Sequence, residues 1–454
     1  MRTRPRPSLD GLDRLTGALA PHTKPTIGYI VARLVGVVAL TAVASSCLPV
    51  GTASTTTYTS TTAEAVRADE PVSTSSTARF AVATTLRASS TASVEVAANP
   101  EPVAVDQPAP PSPSAVAPDR VWLVPDDELA ASRVATGPQV GVEVIVASGD
   151  LRALSPEARE TILSVSEVEL FPGLDEDAAW QLEVIRRGDE IPGGGLLMFE
   201  AGFDRRLVAL YGHPATTGLG VLGEQGPEAG LERLRSIAEG YDADGSVVLP
   251  TFEIIATVAS ASAGADGDYS VGTLRDDIRP WIEFAGANDM YVVLDLQPGR
   301  TDFLTQALIY EEFLRLPHVG LALDPEWRLK PDQVHLEQVG TVDSAEINQV
   351  VDWLAGIVRE EALPQKLLIV HQFRFSMITN RADIDTPPEL AVLIQMDGQG
   401  TMRDKYATWN ALTTMADADQ FYWGWKNFYD EDHPNATTEQ VLELIPTPAF
   451  VSFQ

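Results

Sequence analysis

Short apolar runs alternate with amphipathic stretches through the second half of the chain. Eight runs have the character of strands and begin near Leu207, Val247, Met290, Val319, Leu367, Ala391, Phe421 and Ala449. Helical patterns lie between them at Glu228–Gly240, Leu274–Ala287, Phe303–Leu316, Ala345–Glu361 and Asp404–Ala416. Apolar strands separated by amphipathic helices predict a parallel sheet that is covered by helices. Eight of them in residues 206–454 predict an α/β protein with a (β/α)8 TIM-type barrel, and a doubly wound open sheet is the alternative.

The fifth interval between strands departs from this rhythm. Residues 374–389 contain Pro387-Pro388 and show no helical pattern. We therefore expect a barrel in which one connection lacks its helix.

A smaller α/β pattern precedes the barrel in residues 119–205. Strand-like segments are Val142–Ala147, Val168–Phe171 and Gly195–Glu200, and helical segments are Ser155–Ser166 and Asp175–Arg187. This alternation predicts a small parallel accessory segment.

The first 47 residues have the pattern of a signal peptide. Basic residues precede an apolar run, Leu34 to Ala44, whose 11 residues are too few to span a bilayer. Ala42-Val43-Ala44 fits ordinary secretory cleavage, whereas Ala44-Ser45-Ser46-Cys47 resembles the lipobox of bacterial lipoproteins, in which the cysteine receives lipid. Since Cys47 is the only cysteine and lies directly after the apolar run, lipidation is the favoured interpretation.

Residues 48–118 have the composition of a tether. From residue 51 to 100 there are 12 Thr and 8 Ser, and six prolines follow between 101 and 118. Such a segment buries too little apolar area to offset the entropy of ordering, so we expect it to be disordered. Anchor and tether together predict an extracytoplasmic protein, either membrane-anchored or secreted.

The net charge of −32 restricts the partners. Residues 119–454 hold 23 basic and 56 acidic residues, which argues against nucleic acid and against charge-driven docking on anionic lipid. A membrane contact is therefore expected only through the lipid anchor. No Gly-x-Ser-x-Gly and no Gly-x-Gly-x-x-Gly follows a strand, so neither a serine hydrolase nor a dinucleotide cofactor is indicated, and we expect no cofactor.

Polar residues follow most of the apolar runs. In a (β/α)8 barrel the active site lies at the carboxyl ends of the strands, so these residues are the candidates for a site. We predict catalytic roles for Asp295, Asp324, Glu326 and Asp397. We predict substrate contacts for His213, Glu253, Gln297, Trp327, His371, Gln372, Trp425 and Lys426.

Asp324 and Glu326 make the sharpest pattern. Residues two apart on a strand share a face, so both carboxyl groups are expected to point inward together. Two carboxylates in one pocket push their pKa values apart, which lets one keep a proton as glycoside hydrolysis requires. The structural alternative is an ion pair with Arg300, Arg328 or Lys426.

A resemblance supports the same chemistry. The segment from Gly320 to Trp327 (GLALDPEW) resembles a reduced form of the chitinase-like (family 18) glycoside hydrolase signature, whose Asp-x-Glu implies an orienting role for Asp324 and an acid role for Glu326. Gln395-Met396-Asp397, together with Trp423 or Trp425, is similar to that family's sugar-lining residues. Gly320 and Ala322 stand where the family carries earlier aspartates, and Pro325 lies inside the pair. Residues 211–454 also resemble uncharacterised secreted bacterial proteins that share LDLQPGR, LALDPEW and HQF segments.

The expected function is therefore hydrolysis of a glycosidic bond in an extracellular or cell-wall polysaccharide. One alternative is a non-catalytic binding or structural module of the envelope. The other is a metal-dependent phosphodiester or amide hydrolase that uses the strand-end carboxylates with His213 and His371. No His-x-His or His-Glu-x-x-His supports a metal, so none is predicted.

Overall fold

A computed structural model of the chain describes residues 118–126, 141–199 and 205–454. The signal-peptide and lipidation predictions for residues 1–47, including Cys47, lie outside the described residues, as does nearly all of the predicted tether. Within the described ranges, no helix has both the length and the apolar character that crossing a bilayer requires.

Eight parallel strands close into a barrel, as the apolar runs predict. They are Arg205–Gly212, Val247–Ala259, Tyr291–Leu296, Val319–Leu323, Lys366–His371, Leu390–Met396, Tyr422–Asn427 and Phe450–Phe453. Each strand pairs with the next, and the eighth pairs with the first, from Phe450 beside Leu207 to Phe453 beside Leu210. This closure excludes the open-sheet alternative.

Helices cover the outside of the barrel and match the predicted positions closely. The longer ones are Pro227–Ala238, Arg275–Ala287, Ser344–Glu360 and Met402–Thr413, and a short helix, Thr438–Leu442, precedes the eighth strand. The predicted helix over 303–316 is interrupted: Phe303–Ala307 and Glu311–Leu314 flank a 3₁₀ turn at Leu308–Tyr310. After the fifth strand come only 3₁₀ turns, Phe375–Met377 and Arg381–Asp383, and a two-residue strand, Ile378–Thr379.

The accessory segment is a three-stranded parallel sheet with two helices. Its strands lie in the order Val142–Ala147, Arg120–Pro125, Glu167–Leu170, and its helices are Pro156–Ser164 and Ala178–Arg187. The prediction of a strand at 195–200 is wrong. Gly193, Gly194 and Gly195 all have positive φ, so the chain turns away there, and Arg120–Pro125 provides the central strand instead.

The turn after that sheet packs against the amino end of the barrel. Ile191 and Met198 join the cluster of apolar side chains inside the barrel, beside Leu207 and Leu367. The backbone N–H of Met198 donates to Gln365 Oε1 at 2.9 Å, immediately before the fifth strand. The lower lumen is thus apolar, and its polar chemistry is confined to the opposite, carboxyl end.

Candidate functional site at the carboxyl end of the barrel

The inward-facing positions change from apolar to polar towards the carboxyl ends of the strands. Side chains alternate between lumen and helices along each strand, and the lower inward positions form one apolar cluster with Ala209, Val293, Ala322 and Ile369. Above this cluster lies a layer that we call the lumen ring: Tyr211, Glu253, Asp295, Asp324, His371, Gln395, Lys426 and Ser452. None of its side chains is more than 3% exposed.

His371 is the centre of this ring. Its Nδ1 lies 3.1 Å from Asp397 Oδ2, while its Nε2 lies 3.3 Å from Glu253 Oε1 and 3.7 Å from Asp295 Oδ1. The contact with Asp397 has hydrogen-bond geometry, whereas the contact with Glu253 is too bent to qualify. His371, on the fifth strand, therefore contacts carboxylates of the second and third strands and one at the end of the sixth.

The surrounding negative charge decides the ionisation of His371. Burial opposes the charged imidazolium, but the contacts with Asp397 and Glu253 and the charge of Asp295 together raise the pKa of His371 well above its ordinary value. The surrounding carboxylates therefore favour the protonated form of the ring.

Tyr211 links the ring to the third strand. Its hydroxyl donates to Asp295 Oδ2 at 2.8 Å and accepts from Gln297 Nε2 at 3.2 Å. Burial, and then the nearby carboxylates, raise the pKa of Tyr211 well above its ordinary value, so the hydroxyl keeps the proton that it donates. Gln297 is fixed in turn by the backbone N–H of Ala259, which donates to its Oε1 at 2.9 Å.

Glu326 does not occupy the strand position that the sequence predicts. The fourth strand ends at Leu323, and Pro325–Trp327 forms a 3₁₀ turn, because proline cannot donate to a sheet ladder and favours the first position of a turn. Asp324 caps this turn by accepting the backbone N–H of Glu326 at 3.4 Å. Strand alternation therefore does not explain why Asp324 and Glu326 lie together. The cap made by Asp324 keeps both residues at the barrel mouth.

The carboxyl group of Glu326 is half-buried at the barrel mouth, and its pKa is raised to about 7. Burial is the main cause and the charge of Asp397 adds to it, while Lys426, His371 and Arg374 act in the opposite direction. In the same way, burial and then the charge of Glu253 raise the pKa of Asp295 to about 6 against the charges of His371 and Lys426. Glu326 can therefore hold a proton near neutral pH.

Asp324 is also perturbed. Its side chain is 3% exposed, and burial, followed by the charges of Glu326, Asp295 and Asp397, raises its pKa well above the ordinary value although His371 opposes the shift. Of the partners considered for the structural alternative, Arg328 is engaged elsewhere, because its Nε contacts Glu346 Oε1 at 2.8 Å.

Two predicted contact residues lie outside this cluster. His213 is held in the loop after the first strand, where Nδ1 accepts the N–H of Ala215 at 3.1 Å and Nε2 lies 3.0 Å from Thr273 Oγ1. Gln372 follows the inward-facing His371 and so points the other way, where its Oε1 accepts from Arg381 Nη1 at 2.8 Å. Both side chains are engaged in loop contacts, and neither belongs to the lumen ring.

The two tryptophans that were predicted to contact substrate lie in different environments. Trp425 precedes the inward-facing Lys426 and faces the helices, where it lies fully buried against Trp409, with ring centroids 5.8 Å apart. Its ring packs among the helices, and the structure does not bring it to the lumen ring. Trp327 is partly exposed on the turn that carries Glu326. Its ring packs edge-on against that of His335, with ring centroids 5.3 Å apart.

The search for polar residues at strand ends did not predict two members of the lumen ring. Tyr211 lies inside the apolar run of the first strand and has the character of a core residue, and Ser452 is a small residue in a short final strand. Ser452 Oγ accepts from Gln395 Nε2 at 2.6 Å. A Cβ on Gly424 would lie 2.8 Å from Gln395 Oε1, so this glycine makes room for the amide.

Both ring nitrogens of His371 face carboxylates. Across the described ranges, no group of three or more His, Cys, Asp or Glu side chains is arranged to hold a metal ion. The arrangement favours proton chemistry on carboxyl groups.

Comparison with known protein families finds none that matches this chain, and comparison with curated proteins finds no relative. The fold and the site define a (β/α)8 barrel with a buried cluster of ionisable groups at its carboxyl end.

Proposed function

We propose that this protein hydrolyses glycosidic bonds in an extracellular or cell-wall polysaccharide, with Glu326 as the general acid. The observation that carries the proposal is the state of Glu326, a half-buried carboxyl group at the barrel mouth with a pKa of about 7. Glycoside hydrolysis needs one carboxyl group that keeps its proton and a second that is ionised. The neighbouring carboxylates, balanced by His371 and Lys426, supply candidates for the second.

The charge of the mouth favours an uncharged or amino-sugar polymer. Five carboxyl groups, Glu253, Asp295, Asp324, Glu326 and Asp397, share the cluster with the cations His371 and Lys426. A polyanion such as a phosphodiester would be repelled there. Trp327, beside the acid, offers an aromatic face of the kind that stacks on sugar rings.

The location is a proposal from the sequence. A lipid on Cys47 followed by the Ser/Thr/Pro-rich tether would hold the barrel outside the membrane within reach of wall glycans.

Purified full-length chain incubated with a panel of uncharged, amino-sugar and anionic glycans tests the proposal. We expect new reducing ends from at least one uncharged or amino-sugar polymer, with and without a chelator, and none when Glu326 is replaced by Gln. Absence of turnover on the whole panel would overturn the hydrolase proposal. Activity that a chelator abolishes and added metal restores would replace it by the metal-dependent alternative.

One observation favours the non-catalytic envelope module as a second candidate. Glu253, Asp295 and His371 are 0% exposed, so these three groups can serve as an internal ion cluster that holds the strands together. That candidate predicts glycan binding without turnover, which equilibrium binding to the same panel would reveal.

A further inference from the structure

Asp397 is a carboxylate of the buried cluster that keeps some exposure, whereas Glu253 and Asp295, which also have oxygens without a hydrogen-bond partner, are fully buried. Asp397 Oδ2 lies 3.1 Å from His371 Nδ1 and accepts a hydrogen bond from it. Oδ1 is buried and has no hydrogen-bond partner among the described residues. The side chain is 6% exposed, so it is held almost completely out of water with one oxygen free.

The remaining carboxylates are less suited to act on a substrate. Glu253 and Asp295 belong to the lumen ring and are 0% exposed. Asp324 is occupied as the cap of the turn that carries Glu326. Asp397 lies just beyond the end of the sixth strand and Glu326 lies on the turn just beyond the fourth, so both follow the lumen ring at the carboxyl end of the barrel. After burial, the charge of Asp397 contributes most to raising the pKa of Glu326.

We propose that Asp397 is the second catalytic carboxylate and that His371 is its positioning residue, an inference that rests on the proposed function. The hydrogen bond from His371 Nδ1 to Oδ2 fixes the orientation of the carboxylate, which leaves Oδ1 to act. The imidazole itself is enclosed below and does not touch substrate.

The chemical step takes one of two balanced forms. In the first, Asp397 takes a proton from a water molecule whose oxygen bonds to the anomeric carbon, while the bond to the leaving oxygen breaks and Glu326 protonates that oxygen. In the second, Asp397 Oδ1 bonds to the anomeric carbon as the leaving oxygen departs with the proton of Glu326. Water then displaces Asp397 and returns a proton to Glu326. The anomeric configuration of the first product distinguishes them: inversion indicates the first form and retention the second.

The variants Asp397→Asn and Asp397→Glu test the role, with Asp385→Asn as a matched control because Asp385 is exposed on the loop after the fifth strand. Measured on the full-length chain with a hydrolysed glycan, Asp397→Asn should lower turnover by about 10²–10⁴-fold with a thermal midpoint close to that of the parent. Asp385→Asn should change neither. Full turnover in Asp397→Asn would overturn the inference, as would failure of both Asp397 variants to fold, because that outcome makes Asp397 structural.

The positioning role of His371 is tested by separate kinetic and NMR measurements. His371→Asn retains a donor near the Nδ1 position and should keep more turnover than His371→Ala, with the larger change in kcat rather than in KM. Nitrogen-15 NMR should show the His371 imidazolium losing its proton at lower pH in Asp397→Asn than in the parent. An unchanged His371 titration would overturn the positioning role.

The two proposals fail in different ways. A parent chain without turnover on the whole panel would refute glycoside hydrolysis itself. A parent that Glu326→Gln inactivates but Asp397→Asn does not would refute only the role of Asp397.

Discussion

Lys426 Nζ lies 3.4 Å from the centre of the Tyr211 ring, and the hydroxyl of that ring donates to Asp295 Oδ2. A buried ammonium over an aromatic face is stabilised by the ring quadrupole. The ammonium is thereby held inside the lumen ring, where its positive charge lowers the pKa of both Asp295 and Glu326 against the effect of burial.

This relationship predicts the pH dependence of activity. A general acid must be protonated, so kcat/KM should fall as pH rises through about 7, the raised pKa of Glu326. Lys426→Met removes a positive charge that favours the ionised carboxylate, so the pKa of Glu326 should rise and the alkaline limb should move to higher pH. The pH profile of kcat/KM measures this. Lys330→Met, at an exposed lysine, should leave the profile unchanged, and a limb that does not move in Lys426→Met would contradict the electrostatic account.

Replacing Glu326 by Gln tests the acid directly. The amide keeps the shape but cannot donate the proton, so turnover should fall by about 10²–10⁴-fold. The free energy of unfolding should change little, because Arg328, one of the alternative partners, contacts Glu346 and Lys426 lies over the Tyr211 ring. Glu337→Gln, exposed on the loop that follows, is the control. A loss of several kcal/mol of stability would instead identify Glu326 as a member of a structural ion pair.

The two tryptophans should respond differently to truncation. Trp425→Ala opens a cavity beside Trp409 and removes the indole N–H that donates to Asn427 Oδ1 at 3.0 Å, so it should cost about 3–5 kcal/mol of stability. Trp327→Ala should raise KM for the glycan with a much smaller stability change, because its ring is partly exposed beside the acid. Chemical denaturation and steady-state kinetics on both variants measure these effects. A raised KM confined to Trp425→Ala would reverse the assignment.

A buried lysine away from the mouth gives the fold a pH-dependent stability. Lys366 Nζ donates to the carbonyls of Leu316 and Val319 at 2.9 and 2.7 Å, and burial lowers the pKa of Lys366 from 10.5 to about 7. Between these values the unfolded chain binds a proton that the folded chain does not, so the free energy of unfolding should rise with pH.

Over about two pH units above 7 this contribution should reach about 2 kcal/mol. Lys366→Met should lose it, and the exposed Lys330→Met should keep it. Urea denaturation at about pH 7 and about pH 9 gives the comparison. An equal pH dependence in Lys366→Met and the parent would contradict the assignment.

The anchor prediction depends on sequence alone. If Cys47 carries lipid, Cys47→Ala should move the protein from the membrane fraction to the medium, since the variant cannot be lipidated and the apolar run is too short to span a bilayer. Fractionation followed by immunoblotting measures the distribution. Release of the unmutated protein would favour cleavage after Ala44, and continued membrane association of Cys47→Ala would require another anchor.

The barrel itself was predictable because of its burial. Every barrel strand lies between lumen and helices, so both of its faces are apolar, and the runs beginning at Val319 or Leu367 are visible without knowledge of their neighbours. Carboxyl ends of parallel strands converge, so Glu253, Asp295, Asp324 and His371 could be grouped from their positions alone.

Because both faces of a barrel strand are buried, the sequence does not show which face points into the lumen. A strand with one solvated face shows its orientation by alternation, whereas Trp425 and Lys426 both follow apolar residues, and only the closed barrel decides that the lysine enters the lumen. The inward face also determines what fits there: a Cβ on Gly320 would lie 3.0 Å from the Tyr291 ring, so no aspartate has room where the chitinase-like signature carries one. The sequence by itself determined the number of strands and the end at which polar groups gather. Tertiary structure alone decided the contacts of His371 with Asp397, Glu253 and Asp295, because their spacing depends on strand closure and register, which join residues that lie far apart in the chain.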